Sequence, residues 1–291
     1  LGNRSQIELL IKEHNLELSG CKIVDPREED AATEKYAQHY YKKRQRKGAT
    51  INDANRQLRD RNAFGAMMVE FGEADALVSG LTKDYPKTIL PSLQIIGMAP
   101  GVNRVAGMYV IMNKKGVFFF ADCTVNVNPT ADELVGIIGL AASWVKFFGV
   151  EARVAMLSYS NFGSSNGDIP DKAREAVQKA KAKYPNLIID GDIQANVALD
   201  TTIQKENYPF SALAEEGANT LIFPDLASGN ISYKLLMEIG GAETIGPILM
   251  GMKKPVHILQ LGSSIRQIVN MAAIAVVDAQ LQEQHIQPVT V

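Results

Sequence analysis

"ARVAMLSYSNFGSSNGDIPDKAREAVQKAKAKYPNLIIDGD", residues 152–192, decides the fold class. "ARVAMLSYS" is a short apolar run bounded by turn residues, which reads as a buried strand. "PDKAREAVQKAKAKYP" reads as a helix whose exposed face alternates in charge. "NLIIDG" is a second buried strand. Strand, helix and strand in this order form the unit of an α/β protein with a largely parallel sheet. The pattern continues outward. "NTLIFPD", "TIGPILMG" and "KPVHILQ" are further strand candidates, and apolar helices follow the first and the last of them.

The N-terminal third has a similar texture. "LGNRSQIELLIKEHNL" predicts a turn and an amphipathic helix, and "CKIVDP" a strand. "DAATEKYAQHYYKKRQRKG" predicts a helix ending at Gly48 as its C′ residue. "TINDANRQLRDRNAFGAMMVEFG" predicts one helix, with Thr50 as N-cap and Asp53 in the first turn. "ADALVSG" predicts a buried strand, and "PSLQIIG" a helix or extended segment. In the middle, "GMYVIM", "NKKG" and "VFFFADC" predict a hairpin. "NPTADELVGIIGLAASWVKFFG" predicts a helix opened by a Thr130/Glu133 capping box and stopped by Gly149.

Composition narrows the function. The 291 residues suit two ordinary domains or one large one. A net charge of −2 supplies no field that would attract nucleic acid or a membrane surface. Cys21 and Cys123 are the only cysteines, so a reducing cytoplasm fits better than a disulfide framework. No apolar run is long enough to cross a bilayer, and no signal peptide opens the chain. His14, His39, His257 and His285 show no metal-ligand spacing and join no CxxC pair. Gly- and Pro-rich breaks near 97–102 and 249–255 divide the chain. Residues 1–100 plus 249–291 would form a discontinuous α/β domain, with an α/β domain of residues 101–248 inserted into it. A cleft between the two is the expected ligand site.

Five stretches carry candidate chemistry. "MLSYSNFGSSNGDIPDKARE" (156–175) is a strand, a Ser/Gly loop and a helix, able to present backbone N–H groups and hydroxyls to an anion. It is not a Walker A loop, and a plain polar connection is its alternative reading. "FPDLASGNISYKLL" (223–236) repeats the logic with Asn230, Tyr233 and Lys234. "KPVHILQLGSSIRQIVNMAAIAVVDAQ" (254–280) is a strand, a turn and an apolar helix. Gln260 and Leu261 in its turn can neither donate a proton nor attack a carbonyl. "YYKKRQRKG" (40–48) complements a helix dipole with its cations, or clamps a phosphate through an Arg. Asp190 and Asp192 in "IIDGDIQ" are a DGD turn or a carboxylate pair.

Taken together, "ARVAMLSYS", "LIIDGDIQ", "IFPDLASGNISYKL" and "GPILMGMKKPV" resemble the phosphotransacetylase family in order and spacing, over nearly the whole chain. The family starts with one more strand–helix unit, so the chain is expected to begin inside a domain. The resemblance implies two three-layer α/β/α domains around a cleft, a CoA thioester ligand and acyl transfer between CoA and phosphate. It places Arg44 at the family's phosphoryl-binding Arg in a "YxxRxxKG"-like helix. It places Leu90 of "ILPSLQI" where the family has the Arg of "RPAxQI". Gln260 and Leu261 of "LQLG" stand for the Ser-Arg pair of "LSRG", and Gln267 of "RQIV" for an Asp. Replacing two Arg and one Asp removes cationic donors and a base from a reaction that must stabilise charge.

The loop "MLSYSNFGSS" and the tail over 254–280 further resemble the C-terminal domain of large bacterial NADP-dependent malic enzymes. That resemblance implies a regulatory domain that senses acetyl-CoA. NADP and a divalent metal would belong to a malic-enzyme domain not contained in these residues. The implied ligand contacts are Arg44, then Ser158, Ser160, Gly163, Ser164 and Ser165 of one loop, then Asp225, Asn230, Tyr233 and Lys234 of the other. No catalytic or metal residue is implied. A homodimer or larger homo-oligomer is implied, with neither nucleic acid nor membrane as partner. A working phosphate acetyltransferase with a rewired site is the alternative, and an assembly module with a silent cleft is a third.

Overall fold

The computed structural model describes residues 1–283. In chain order it contains α1 (Arg4–Glu13), α2 (Asp30–Arg44), α3 (Ile51–Gln57), α4 (Arg61–Glu70), β1 (Leu77–Gly80), α5 (Tyr85–Ile95), β2 (Ala106–Asn113), β3 (Gly116–Ala121), α6 (Ala131–Phe147), β4 (Arg153–Leu157), α7 (Asp168–Lys183), β5 (Ile188–Ile193), α8 (Ala195–Ala198), α9 (Thr201–Asn207), β6 (Thr220–Ile222), α10 (Leu226–Glu238), β7 (Glu243–Met250), β8 (Val256–Leu259) and α11 (Ile265–Glu283).

Six strands form one sheet in the order β5-β4-β6-β3-β2-β7. The β5–β4, β4–β6 and β6–β3 pairings are parallel, as the alternating strand–helix pattern requires. The hairpin β2–β3 and its neighbour β7 add an antiparallel half. Side chains alternate faces along a strand. In β2, Met108 and Val110 enter a core with Ile138, Trp144, Val177 and Met271, contributed by α6, α7 and α11. Tyr109 and Ile111 point the other way, into a core with Val197, Leu213 and Tyr233. Burial on both faces makes this a three-layer unit.

β1 and β8 form a separate parallel pair, with Leu77 opposite Val256 and Gly80 opposite Leu259. Around them α2, α4 and α5 bury Tyr36, Phe64, Met67 and Ile95 against Ile258. β8 couples the two halves, because its next residue, Leu259, faces the core of the larger sheet.

Local signals produced most of these elements. Thr50 accepts from the Asp53 N–H while the Asp53 carboxylate accepts from the Thr50 N–H, a complete capping box. Thr130 and Glu133 do the same for α6. Gly48 ends the α2 segment at φ +85°, after a 3-10 turn over Gln45–Lys47.

Two expectations fail. "CKIVDP" forms no strand: it runs as a loop, pinned where Gly2 N–H and the Arg4 guanidinium donate to the carbonyls of Val24 and Ile23. The stretch 50–72 forms two helices rather than one. Asp60 interrupts it and caps α4 by accepting from Asn62 and Ala63 N–H, the alternative that a short acidic side chain offers a helix backbone.

Candidate functional site

The turn after β8 is built around its own side chains. Gly262 takes φ +80°, which lets the chain reverse into α11. Ser263 Oγ donates to the Gln260 carbonyl at 2.9 Å. Ser264 N–H donates to Gln267 Oε1 at 2.9 Å, and Gln267 N–H returns a bond to Ser264 Oγ at 3.3 Å. Ser264 and Gln267 are therefore a capping box. Gln267 thus caps a helix.

α10 brings the second wall. Asp225 caps it by accepting from Ser228 N–H at 2.8 Å. Lys172 of α7 braces this entrance, donating to the Pro224 carbonyl at 2.9 Å and to Asn128 Oδ1 at 2.8 Å. Burial holds its ammonium pKa below the usual lysine range. Asn230 Nδ2 donates to the Cys123 carbonyl at 3.1 Å. Tyr233 is buried and stacks on Tyr109 with ring centroids 4.0 Å apart. Its hydroxyl donates to Gln260 Oε1 at 3.0 Å. Burial raises the phenol pKa of both tyrosines, so both remain neutral donors at physiological pH.

Tyr109, Tyr233, Lys234, Gln260, Leu261 and Gln267 converge on one cleft of about 380 Å³. Among the described residues its lining carries a single cation, Lys234, with Glu238 one helical turn away. Leu261 is 60% exposed at its mouth.

Other expected contacts lie elsewhere. In the 158–165 loop, Ser160 is buried; its Oγ lies 3.3 Å from Ser164 Oγ and accepts from Ser165 N–H at 3.1 Å. Ser158 Oγ accepts from Ser160 N–H at 3.2 Å. Gly163, at φ +86°, donates its N–H to buried Asp192, which Arg174 also holds at 3.2 Å. The loop's hydroxyls thus serve its own conformation, and it does not line the Gln260 cleft.

Arg44 closes α2, half-buried, and Leu90 is 51% exposed on α5. These two helices are tied by Tyr40 donating to Gln94 Oε1 at 2.8 Å and by Lys43 donating to the Ile95 carbonyl. Neither Arg44 nor Leu90 lines the Gln260 cleft.

The expected DGD turn is not a turn: Asp190, Gly191 and Asp192 lie within β5, paired with β4, and the two aspartates do not act as a pair. Asp190 is held by Lys181 at 2.9 Å and by Ala212 N–H, Asp192 by Arg174 and the Ser/Gly loop. Among the described residues no group of three or more His, Cys, Asp or Glu side chains is placed to hold a metal ion. His285 and residues 284–291 of the expected discontinuous domain lie outside the described residues. Among the described residues no helix is long and apolar enough to cross a membrane.

Sequence reading missed Tyr109 and Asp122. Tyr109 was visible as the one residue with a polar tip in "GMYVIM". Asp122 is buried and accepts backbone N–H bonds from Gly107, Thr124, Val125 and Asn126, a frame beneath α10. No local pattern announces it. The capping box at Ser264 and Gln267 was legible as S-x-x-Q.

These features define an α/β protein with a cleft built from a strand–turn–helix junction on one side and a capped helix on the other. The fold is that of phosphotransacetylases. The crystal structure of a phosphotransacetylase from Streptococcus pyogenes matches 97% of this chain and 85% of its own, with a TM-score of 0.85 and 36% identity. The chain belongs to the phosphate acetyl/butaryl transferase family, whose profile it matches over residues 1–276. It is 41% identical over 287 residues to a phosphate acetyltransferase of Clostridium acetobutylicum, covering 96% of this chain and 86% of that protein. It is also 42% identical over 284 residues to an NADP-dependent malic enzyme of Haemophilus influenzae, covering 96% of this chain and 37% of that protein. Phosphate acetyltransferases predominate among such relatives.

Proposed function

We propose that this chain binds a CoA ester without efficient transfer of its acyl group to phosphate, and serves as the acetyl-CoA-responsive domain of an NADP-dependent malic enzyme. One observation carries the reading: the carboxamide oxygens in the turn and at the start of α11 are already engaged in the protein's own structure. Gln260 Oε1 is taken by Tyr233 and Gln267 Oε1 by the Ser264 N–H, while Leu261 between them supplies no charge. Phosphorolysis brings an anion to an acyl carbonyl and needs cationic donors at the developing charge. Lys234, offset by Glu238, is a poor substitute for two guanidinium groups.

Acetyl-CoA would favour one of two arrangements of the assembly, and a coupled malic-enzyme portion would respond to that difference in affinity. Arg44 and the loops at 158–165 and 225–234 are the proposed ligand contacts. Hydride chemistry, with its NADP and metal, is assigned to that other portion. The same reading divides the chain at residues 101–248, with residues 1–100 and 249–291 joined; the pairing of Leu77–Gly80 with Val256–Leu259 supports it. It also carries a homodimer or larger homo-oligomer.

The second reading is an active phosphate acetyltransferase interconverting acetyl-CoA plus phosphate with acetyl phosphate plus CoA. The comparisons favour it over the first, since most named relatives are phosphate acetyltransferases and several match over nearly their full length. Thermal unfolding with and without acetyl-CoA, beside a CoA-release assay in phosphate buffer, separates the two. A rise in Tm without CoA release supports the first reading, because a ligand bound by the native state alone must stabilise it. CoA release at enzymatic rates supports the second.

A further inference from the structure

Gln260 directly follows β8, with one side of its carboxamide committed. Tyr233 donates to its Oε1 at 3.0 Å. Tyr233 has no freedom to move away, being 1% exposed and stacked on Tyr109. The other end of the carboxamide, Nε2, offers two N–H donors. Neither has a hydrogen-bond partner among the described residues, and Nε2 is not among the buried atoms left without one. Around it the cleft is lined by Leu261 and Met237, with the opposite charges of Lys234 and Glu238 on one helix face.

A neutral donor beside apolar surface suits a carbonyl carrying a small alkyl group. It suits a phosphate oxygen poorly, because an anion gains most from charged donors. Free CoA ends in a thiol and has no carbonyl at the sulfur to offer. Resting on the reading of this cleft as a CoA-ester site, we propose that Gln260 is the residue that tells an acyl thioester from free CoA. Its Nε2 donates to the thioester carbonyl oxygen, and Tyr233 is the positioning residue that aims it.

The test is calorimetric titration of the whole chain at pH 8 with acetyl-CoA and, separately, with CoA. The readout is the ratio of the two Kd values. Wild type is expected to hold acetyl-CoA about tenfold more tightly, the worth of one well-placed hydrogen bond whose loss strands a donor. Gln260→Glu keeps the shape and still accepts from Tyr233, but turns a lone pair toward the carbonyl. The ratio should fall to about one or below. Gln260→Leu removes the donor without adding charge and should also bring the ratio to about one. Tyr233→Phe leaves the donor but frees it, for a loss of about threefold in acetyl-CoA affinity and none in CoA affinity. Far-ultraviolet circular dichroism confirms that each variant is folded.

If the wild-type ratio is near one, or if tenfold selectivity survives in both Gln260 variants, the assignment of Gln260 is overturned while CoA-ester binding stands. If wild type binds neither ligand, the reading of the cleft fails and the assignment goes with it.

Discussion

Asp122→Asn tests the frame on which α10 and its Tyr233 rest. The Asp122 side chain is 2% exposed and accepts five hydrogen bonds. Oδ1 takes the N–H groups of Gly107, Thr124 and Val125 at 3.0, 2.9 and 3.2 Å. Oδ2 takes the Asn126 N–H at 2.7 Å and Asn126 Nδ2. In Asp122→Asn one oxygen can keep the first three, but the other becomes an NH₂ group facing two donors. Asn126 cannot turn its amide to escape without giving up the bond from Nδ2 to the Val105 carbonyl at 2.9 Å. Hydrogen bonds to a charged acceptor contribute about 1.5–3 kcal/mol each, and two are lost with their donors still buried. The expected cost is about 4 kcal/mol, or roughly 6 °C in Tm at the size scaling of a chain this long. Urea unfolding followed by circular dichroism, beside a thermal scan, measures it. A cost under about 1 kcal/mol would refute the reasoning, since it would mean that these bonds stabilise little more than water does.

Three further predictions follow from the same geometry. Gly80→Ala should cost at least about 2 kcal/mol in urea unfolding, because Gly80 sits at φ +121° and an added Cβ would meet the Leu259 carbonyl oxygen at 2.1 Å. The Thr130 backbone N–H, and after it Arg104, hold the Glu133 carboxyl pKa below its ordinary 4.5. A depressed folded-state pKa stabilises the fold above 4.5, and that contribution is lost as pH falls through the lower folded value. Wild type should therefore exceed Glu133→Gln by about 1 kcal/mol at neutral pH, a gap that closes in acid unfolding curves. Finally, combining Leu90→Arg, Gln260→Ser, Leu261→Arg and Gln267→Asp should raise acetyl phosphate formation by about a hundredfold or more. No gain would contradict the roles carried onto these positions.

Legibility followed the range of the interactions. The strand–helix alternation, the hairpin at 106–121 and both Thr capping boxes are written within a few residues of sequence, and they were readable there. "CKIVDP" has the residues of a strand but no neighbouring strand in the described structure, and pairing is a property of the fold rather than of the segment. The break at Asp60 was missed because helical periodicity over 50–72 outweighed one capping residue. In the cleft, the residues on one helix and one turn were named by motif. Their geometry was not: Tyr233 reaching Gln260 spans 27 positions, and Tyr109 under Tyr233 spans more than a hundred. Contacts of that separation leave no periodicity to read.

The most direct test is a calorimetric titration of the chain with acetyl-CoA in phosphate buffer, with acetyl phosphate measured on the same sample afterward. Saturable binding with no acetyl phosphate above the uncatalysed background is expected. Acetyl phosphate formed at enzymatic rates would contradict it, and would mean that Lys234, Gln260 and their neighbours do what two arginines and an aspartate were expected to do.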